Sequence, residues 1–260
     1  VDIVTYETIN VRFQQNVCFI TFDRPEANNT INECLVEECL HVLSECEDSV
    51  TSVVLEGQPE VFCFGADFDE MYRKMRQGMQ HAESQEPLYR LWLALKSGPY
   101  ITIARVRGKV NAGGVGFAAA CDIVIAEENA SFSLSELLFG LYPACVLPFL
   151  IQRIGFQKAH YMTIMTKPVP ARQALEWGLC DVCVPDSATE LRKHLLRLRP
   201  LSKKAVIRYK KYMDSLNDLV HRSKSIALAE NQAMFSDPDN QSAITRYAET
   251  GRLPWETENS

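Results

Sequence analysis

Apolar positions along the chain switch repeatedly between a two-residue and a three-to-four-residue period, a pattern that predicts an α/β protein. Residues 11–14 and 17–22 read as the arms of a hairpin, with Cys18, Ile20 and Phe22 on one face of the second arm. The run Arg24-Pro25-Glu26-Ala27-Asn28-Asn29 breaks it, because proline and paired asparagines favour turns. Over 31–46 a helical stripe carries Ile31, Cys34, Leu35, Cys39, Leu40 and Leu43. A buried strand is predicted over 51–56, followed by the run Val61 to Asp67. Helices are predicted near 69–77 and 87–96, with a polar, mobile segment at 78–86 between them. Residues 101–106 read as strand, and 108–116 lead into a helix that ends near Cys121. Strands are predicted at 122–126 and 131–133, and 137–140 leads to a Tyr142-Pro143 turn. Helix dominates from 157 onward, interrupted by a strand at 179–184. Strands and helices thus alternate through a core of residues 1–189, and 190–260 form a helical C-terminal region.

Composition adds exclusions. With 47% apolar and 23% charged residues in a chain of 260, the sequence is neither disordered nor low in complexity. A net charge of −6 argues against a nucleic-acid partner held by bulk electrostatics. The longest apolar stretch, 137–151, contains Pro143 and Pro148 and is too short to span a bilayer. The opening VDIVTYETI has no basic or apolar signal region, so a cytoplasmic protein with no membrane association is expected. Nine cysteines, an odd number among apolar neighbours, read as buried small hydrophobes in a reducing compartment. Cys180 and Cys183 have metal or redox spacing but lack a second pair and a nearby histidine. No metal and no cofactor is expected.

Three segments carry candidate chemistry. Gly113-Gly114-Val115-Gly116 opens a helix, where free N–H groups bind anions, but it matches no nucleotide fingerprint and no lysine follows it. It reads equally as a place where a substrate carbonyl approaches the main chain, or as a tight packing turn. Phe62-Cys63-Phe64-Gly65-Ala66-Asp67 is a second strand running into small residues before a helix. Two such turns could supply two N–H donors to one oxyanion. Glu136 precedes an apolar run and reads either as an exposed helix-start residue or as a carboxylate whose pKa the apolar wall raises. None of the five histidines has catalytic spacing, and no G-x-S-x-G or H-E-x-x-H motif occurs.

Taken in order, FCFGADF at 62–68, GKVNAGGVGF at 108–117, ACDIVIA at 120–126, SELLFGLYP at 135–143 and ALEWGLCD at 174–181 resemble the enoyl-CoA hydratase/isomerase (crotonase) superfamily. That resemblance implies a spiral of ββα units with a helical C-terminal trimerisation region, assembled as a homotrimer or hexamer. It implies an oxyanion hole for a thioester enolate made by the main-chain N–H groups of Ala66 and Gly113. It implies catalysis by Glu136 and a pantetheine arm lying along Arg24, Glu26, Ala27, Phe64, Gly65, Asp67, Phe68 and Gly114. Hydratases of the family carry a second glutamate, which here falls at Gly116, so the machinery for adding water is incomplete.

Within the family, RPEANNTIN, SFSLSELLFGLYPACVLPFL and QKAHYMT are similar to dehydratases of bacterial polyketide (antibiotic) β-branching cassettes. This implies dehydration of 3-hydroxy-3-methylglutaryl on an acyl carrier protein to 3-methylglutaconyl, alongside other β-branching enzymes. A CoA-level hydratase, isomerase or decarboxylase and a catalytically silent scaffold remain open alternatives. Arg73, Lys74, Arg76, Arg90 and Lys96 are candidates for holding the distal carboxylate of the substrate. Nine basic residues between Arg192 and Lys211, with no acidic one among them, read as a docking surface for an acidic carrier protein, or as a solvated helix pair. In the first reading Lys203, Lys204 and Lys210 are docking charges.

Overall fold

The computed structural model describes residues 5–77, 85–253 and 256. Among the described residues, ten strands form two sheets. The hairpin β1 (Ile9–Gln14) and β2 (Val17–Phe22) is antiparallel, as its alternating pattern predicts. Next come β3 (Ser52–Glu56), β4 (Val61–Cys63), β5 (Ile101–Val106), β6 (Lys109–Asn111), β7 (Ile123–Glu127), β8 (Ser131–Ser133), β9 (Val169–Pro170) and β10 (Val182–Val184). The larger sheet has the order β1-β2-β3-β5-β7-β10 and the smaller one β4-β6-β8-β9. Successive strands from β3 to β8 therefore alternate between sheets. Each step adds one parallel strand to each sheet. This is the predicted spiral of ββα units.

Helices close the turns of the spiral: α1 (Glu33–Glu45), α2 (Phe68–Arg76), α3 (Glu86–Ser97) and α4 (Gly113–Ala120). Asn32 caps α1 by accepting the Leu35 N–H at 2.9 Å, which starts that helix two residues after the apolar stripe begins. Of the polar segment 78–86, residues 78–84 lie outside the described residues, and Glu86 already belongs to α3. All of α4 after Gly113 is buried, which its unbroken run of small and apolar residues explains. Its Phe117 packs against Phe22 and Trp92, and Trp92 in turn against Phe149, as tilted and edge-to-face rings. Two elements depart from the sequence reading. Residues 109–111 are a strand, and Leu147–Ile154 is a helix with Pro148 in its first turn, where proline has no hydrogen bond to lose.

From Ser187 the described chain is helical, in the segments Ser187–Leu198, Lys203–Leu216, Leu219–Arg222, Lys224–Ser236 and Pro238–Thr250. No helix among the described residues is long and apolar enough to cross a membrane. All nine cysteines are free thiols, and seven of them are buried.

The basic segment needs correction. Seven of its nine cations are exposed, but Lys210 is only 6% exposed. Its ammonium pairs with Asp122 at 2.7 Å and donates to the carbonyls of Leu95 and Tyr100. Lys203 donates to the carbonyls of Cys46 and Val50 and lies over the Tyr100 ring. These two lysines fasten the helix Lys203–Leu216 to the core and are not docking charges. Removing one partner of a buried ion pair leaves an uncompensated charge. Lys210→Ala should therefore lower unfolding free energy by about 3 kcal/mol in urea melts, whereas Lys204→Ala should change it by less than about 0.5 kcal/mol.

Candidate active site

Two turns and one short helix meet around the side chain of Asn111, the last residue of β6. Its amide Nδ2 donates to Ser135 Oγ at 2.9 Å and to the Phe64 carbonyl at 3.4 Å, while its Oδ1 accepts from Ser133 Oγ at 2.8 Å. One buried amide thus joins the turn after β4, the turn after β6 and the segment that leads to Glu136.

The first turn needs glycine at position 65. Its φ is +94°, and an added Cβ would sit 2.6 Å from Ala112 Cβ and 3.4 Å from the Gly113 nitrogen. The two turns are therefore in van der Waals contact. Residues 65–67 are pinned from the other side by Ile31, whose N–H donates to Gly65 O at 2.7 Å and whose carbonyl accepts from Asp67 N at 3.3 Å. In this parallel bridge the N–H of Ala66 points away from residue 31. Ala66 is exposed, and its N–H has no acceptor among the described residues. The same holds for the N–H of Gly113, which is half-buried at the first position of α4. Two free donors on touching turns can polarise one carbonyl oxygen.

The sequence-predicted arm residues divide by what their side chains do. Arg24 and Asp67 are nearly buried and bind each other at 2.9 Å, and Arg24 also donates to the Thr30 carbonyl. Burial alone would raise the Asp67 pKa, but the Glu70 N–H, Arg24 and the Thr30 hydroxyl outweigh it and hold the carboxyl below its usual range. These two side chains build the loop. Gly114 is buried where an added Cβ would meet the Cys63 carbonyl at 2.3 Å, so it serves close helix–strand packing. Phe68 packs edge-on against Phe139 and Tyr247. Glu26 and Phe64 are exposed and Ala27 is half-buried, leaving their side chains open to a ligand.

Among the candidate cations, Lys74 pairs with Glu33 and Glu70, and Arg76 lies over the Tyr72 ring and donates to its hydroxyl. Arg73 donates to the Asp69 carbonyl. Lys96 lines a cavity of about 560 Å³ against the helix Lys203–Leu216, together with Asp122 and Lys210. Arg90 is exposed.

Glu136 opens a 3₁₀ turn, Glu136–Phe139, closed by Gly140 at φ +76°. Its Oε2 is buried without a hydrogen-bond partner. Burial raises its pKa to about 7 against the opposing pull of the Glu136 and Ser135 N–H groups. A carboxyl balanced near neutrality can both take and return a proton. At Gly116, one turn into α4, an added Cβ would collide with the Trp92 ring at 2.5 Å, so no second carboxylate fits there. Asn111 and Trp92 were not singled out from the sequence. The former was visible within the GKVNAGG motif, but nothing in the sequence showed which segments its amide joins.

A family model described as enoyl-CoA hydratase/isomerase matches residues 12–258. The chain belongs to that family. This member is 66% identical over 256 residues to the bacillaene synthase dehydratase PksH of Bacillus subtilis, covering 98% of this chain and 99% of the relative. A solved structure of PksH from Bacillus subtilis superposes with a TM-score of 0.94 and covers 96% of this chain and 100% of that one. The 2,3-dehydroadipyl-CoA hydratase of Escherichia coli is 30% identical over 200 residues, covering 74% of this chain and 77% of the relative. An enoyl-CoA hydratase/isomerase structure from Xanthobacter autotrophicus is similar in fold at a TM-score of 0.85, with 24% identity and 95% of each chain covered.

The raised pKa of Glu136 has a measurable consequence in this family member. A carboxyl held protonated to higher pH when folded lends stability that is complete below about pH 4.5 and lost as pH rises through about 7. Glu136→Gln, which cannot ionise, should converge with the wild type toward pH 5. At pH 8 it should be more stable by about 2–3 kcal/mol in urea melts. Equal stability at pH 8 would show that the carboxylate is solvated.

Proposed function

We propose that the protein removes water from 3-hydroxy-3-methylglutaryl held as a thioester on an acyl carrier protein, giving the 3-methylglutaconyl thioester. That it is a hydratase/dehydratase-type enzyme follows from its family and from 66% identity to a polyketide dehydratase. The observation that carries the chemistry is a lone near-neutral carboxylate tied through Asn111 to two free N–H donors. The substrate choice is supported by the 66% identity across 98% of the chain.

In this reading the thioester oxygen lies between the N–H groups of Ala66 and Gly113. The donors stabilise the charge that gathers on oxygen when the C2 proton leaves, which lowers the cost of forming the enolate. Glu136 takes the C2 proton. As the enolate collapses, the thioester carbonyl re-forms, the C2–C3 double bond appears and the C3–O bond breaks. Glu136 returns its proton to the departing hydroxyl, which leaves as water. One carboxylate suffices because the same proton is moved twice. The pantetheine arm runs past Glu26, Ala27 and Phe64, along a loop that the Arg24–Asp67 pair keeps in shape. The carrier-protein partner, the placement in the cytoplasm and a trimeric or hexameric assembly belong to the same reading.

Mass spectrometry tests it directly. Wild-type protein should convert carrier-bound 3-hydroxy-3-methylglutaryl to a species about 18 Da lighter, and the CoA thioester more slowly. Glu136→Gln should lower kcat by about 10²–10⁴, the usual loss for a positioned acid–base group. Gly113→Val, whose Cβ would press on Ile31 Cδ1 at 2.8 Å, should cost at least about 10² in kcat by displacing one donor. Faster turnover of the CoA thioester would favour a CoA-level enzyme. No water loss from either thioester would favour a silent scaffold.

A further inference from the structure

A cavity of about 560 Å³ lies where the helix Lys203–Leu216 crosses the N-terminal ends of β5 and β7. Pockets that hold small molecules typically enclose about 300–1,000 Å³, so this one is large enough. It is separate from the candidate active site. Asp122, in its wall, follows the C-terminal end of α4, whereas Gly113 with its free N–H opens that helix. The eight residues of α4 set the two about 12 Å apart.

Most of the wall is aliphatic, formed by Ile101, Ile123, Leu198, Leu201, Val206 and Met213. Leu201 and Met213 are 42% and 45% exposed, whereas Val206 is 4% exposed, so the cavity is open to solvent and extends inward to the core. Four charged side chains complete it: Lys96, Asp122, Lys210 and Asp214. Lys210 has already spent its three hydrogens, on Asp122 at 2.7 Å and on the carbonyls of Tyr100 and Leu95 at 2.9 and 3.3 Å. Asp122 also accepts from the Thr102 N–H at 2.8 Å.

Lys96 is different. It stands in the last turn of α3, half-buried, and makes no hydrogen bond or ion pair among the described residues. The charges that act on it are Asp122, Lys210, Arg153 and Asp214, three of which line the cavity, so its ammonium sits at this wall. Burial pulls its pKa below the usual lysine range against the attraction of Asp122. With Lys96 counted, three cations stand against two carboxylates, which leaves one positive charge in excess. An unpartnered ammonium on an aliphatic wall is matched by an anion that brings its own hydrocarbon.

We propose that this cavity binds an aliphatic carboxylate, whose head accepts a hydrogen bond from Lys96 while its chain lies along the aliphatic wall. The head supplies the acceptor that the protein does not, and the chain removes apolar surface of both partners from water. The site does not depend on the dehydration proposed above.

Isothermal titration of the wild-type chain with octanoate, well below its micelle-forming concentration, tests the proposal. Octanoate should bind at a single site, and 1-octanol, with the same chain and no charge, about 10- to 100-fold more weakly. Lys96→Met keeps the length of the side chain and removes its charge. It should weaken octanoate by the same factor at an unchanged melting temperature and leave octanol unaffected. The place of binding is read separately. The chain has seven methionines, so ¹³C-methyl labelling gives seven signals, and Met213→Leu assigns one of them. Octanoate should shift the Met213 signal of the wild type. Equal affinity for octanoate and octanol would mark a merely apolar groove and overturn the proposal. Undiminished octanoate binding by Lys96→Met, a Met213 signal that stays in place, or no binding by the wild type would overturn it too. Should Lys96→Met fail to fold, the two ligands and the Met213 signal of the wild type decide.

Discussion

The candidate site depends on one amide. Asn111 reaches the Phe64 carbonyl, Ser133 Oγ and Ser135 Oγ at once, and so ties its own turn to two segments that are far apart in the chain. An amide can do this where a carboxylate or a lysine cannot, because it offers donors and an acceptor on a single planar group. At 9% exposure the side chain is largely shielded from water, so each of these bonds is expensive to lose. The positions of both free N–H groups and of the Glu136 turn are thereby coupled. A shift in one segment strains the other two.

The spiral makes that coupling geometrically possible. Because successive strands alternate between sheets, β4, β6 and β8 lie side by side in parallel, and their C-terminal ends come out at the same edge. The turns that follow them carry Ala66, Gly113 and Glu136. The helices that leave those turns bury the apolar faces that hold the strands together, most completely in α4. The fold thus places three non-adjacent stretches of sequence at one point without any of them crossing the core. The Arg24–Asp67 pair and the bridge at Ile31 hold the outermost turn from its other side.

Much of this was legible in the sequence. The hairpin, the helix at Ile31, the two glycine turns and the apolar wall behind Glu136 all follow from period, turn chemistry and composition, and they appear in the structure. Three things were hidden, each for a physical reason. Residues 109–111 make a strand only because neighbours on both sides complete the ladder; three residues carry too little pattern of their own. The helix Leu147–Ile154 was obscured because Pro148 reads as a breaker unless it is known to stand in the first turn. The roles of Lys203 and Lys210 were hidden because a tally of charges carries no information about burial. The carboxylate that binds Lys210 lies 88 residues away, and the sequence gives no sign of the meeting. Trp92 belongs with these. Its helix is predictable from the stripe of Leu91, Trp92 and Leu95, but that the indole fills the space beside Gly116 is set by how α3 crosses α4.

Energy spent against stability is concentrated at the same edge. Ala112 adopts φ +49° and ψ −120°, a conformation that favours glycine and costs a residue with a Cβ about 1–3 kcal/mol. Its N–H donates to Ser133 O at 2.9 Å and its carbonyl accepts from Val115 N at 2.9 Å, so the residue is held from both sides. The strain has a direct consequence. With Ala112 turned this way, α4 begins at Gly113, whose N–H is left without an acceptor beside the glycine of the other turn. Glu136 without a partner for Oε2, Trp92 without an acceptor for Nε1 and Ala112 in a strained conformation are each unfavourable in the unliganded protein. Ala112 and Glu136 stand in the turns after β6 and β8, and the surrounding core is packed with fully buried aromatic and aliphatic side chains that can carry the cost. A ligand offering a carbonyl oxygen to Gly113 and an acidic C–H to Glu136 would engage the free donor and the carboxyl together. In this arrangement the donors and the acceptor are fixed before the substrate arrives, so binding does not have to reorganise them.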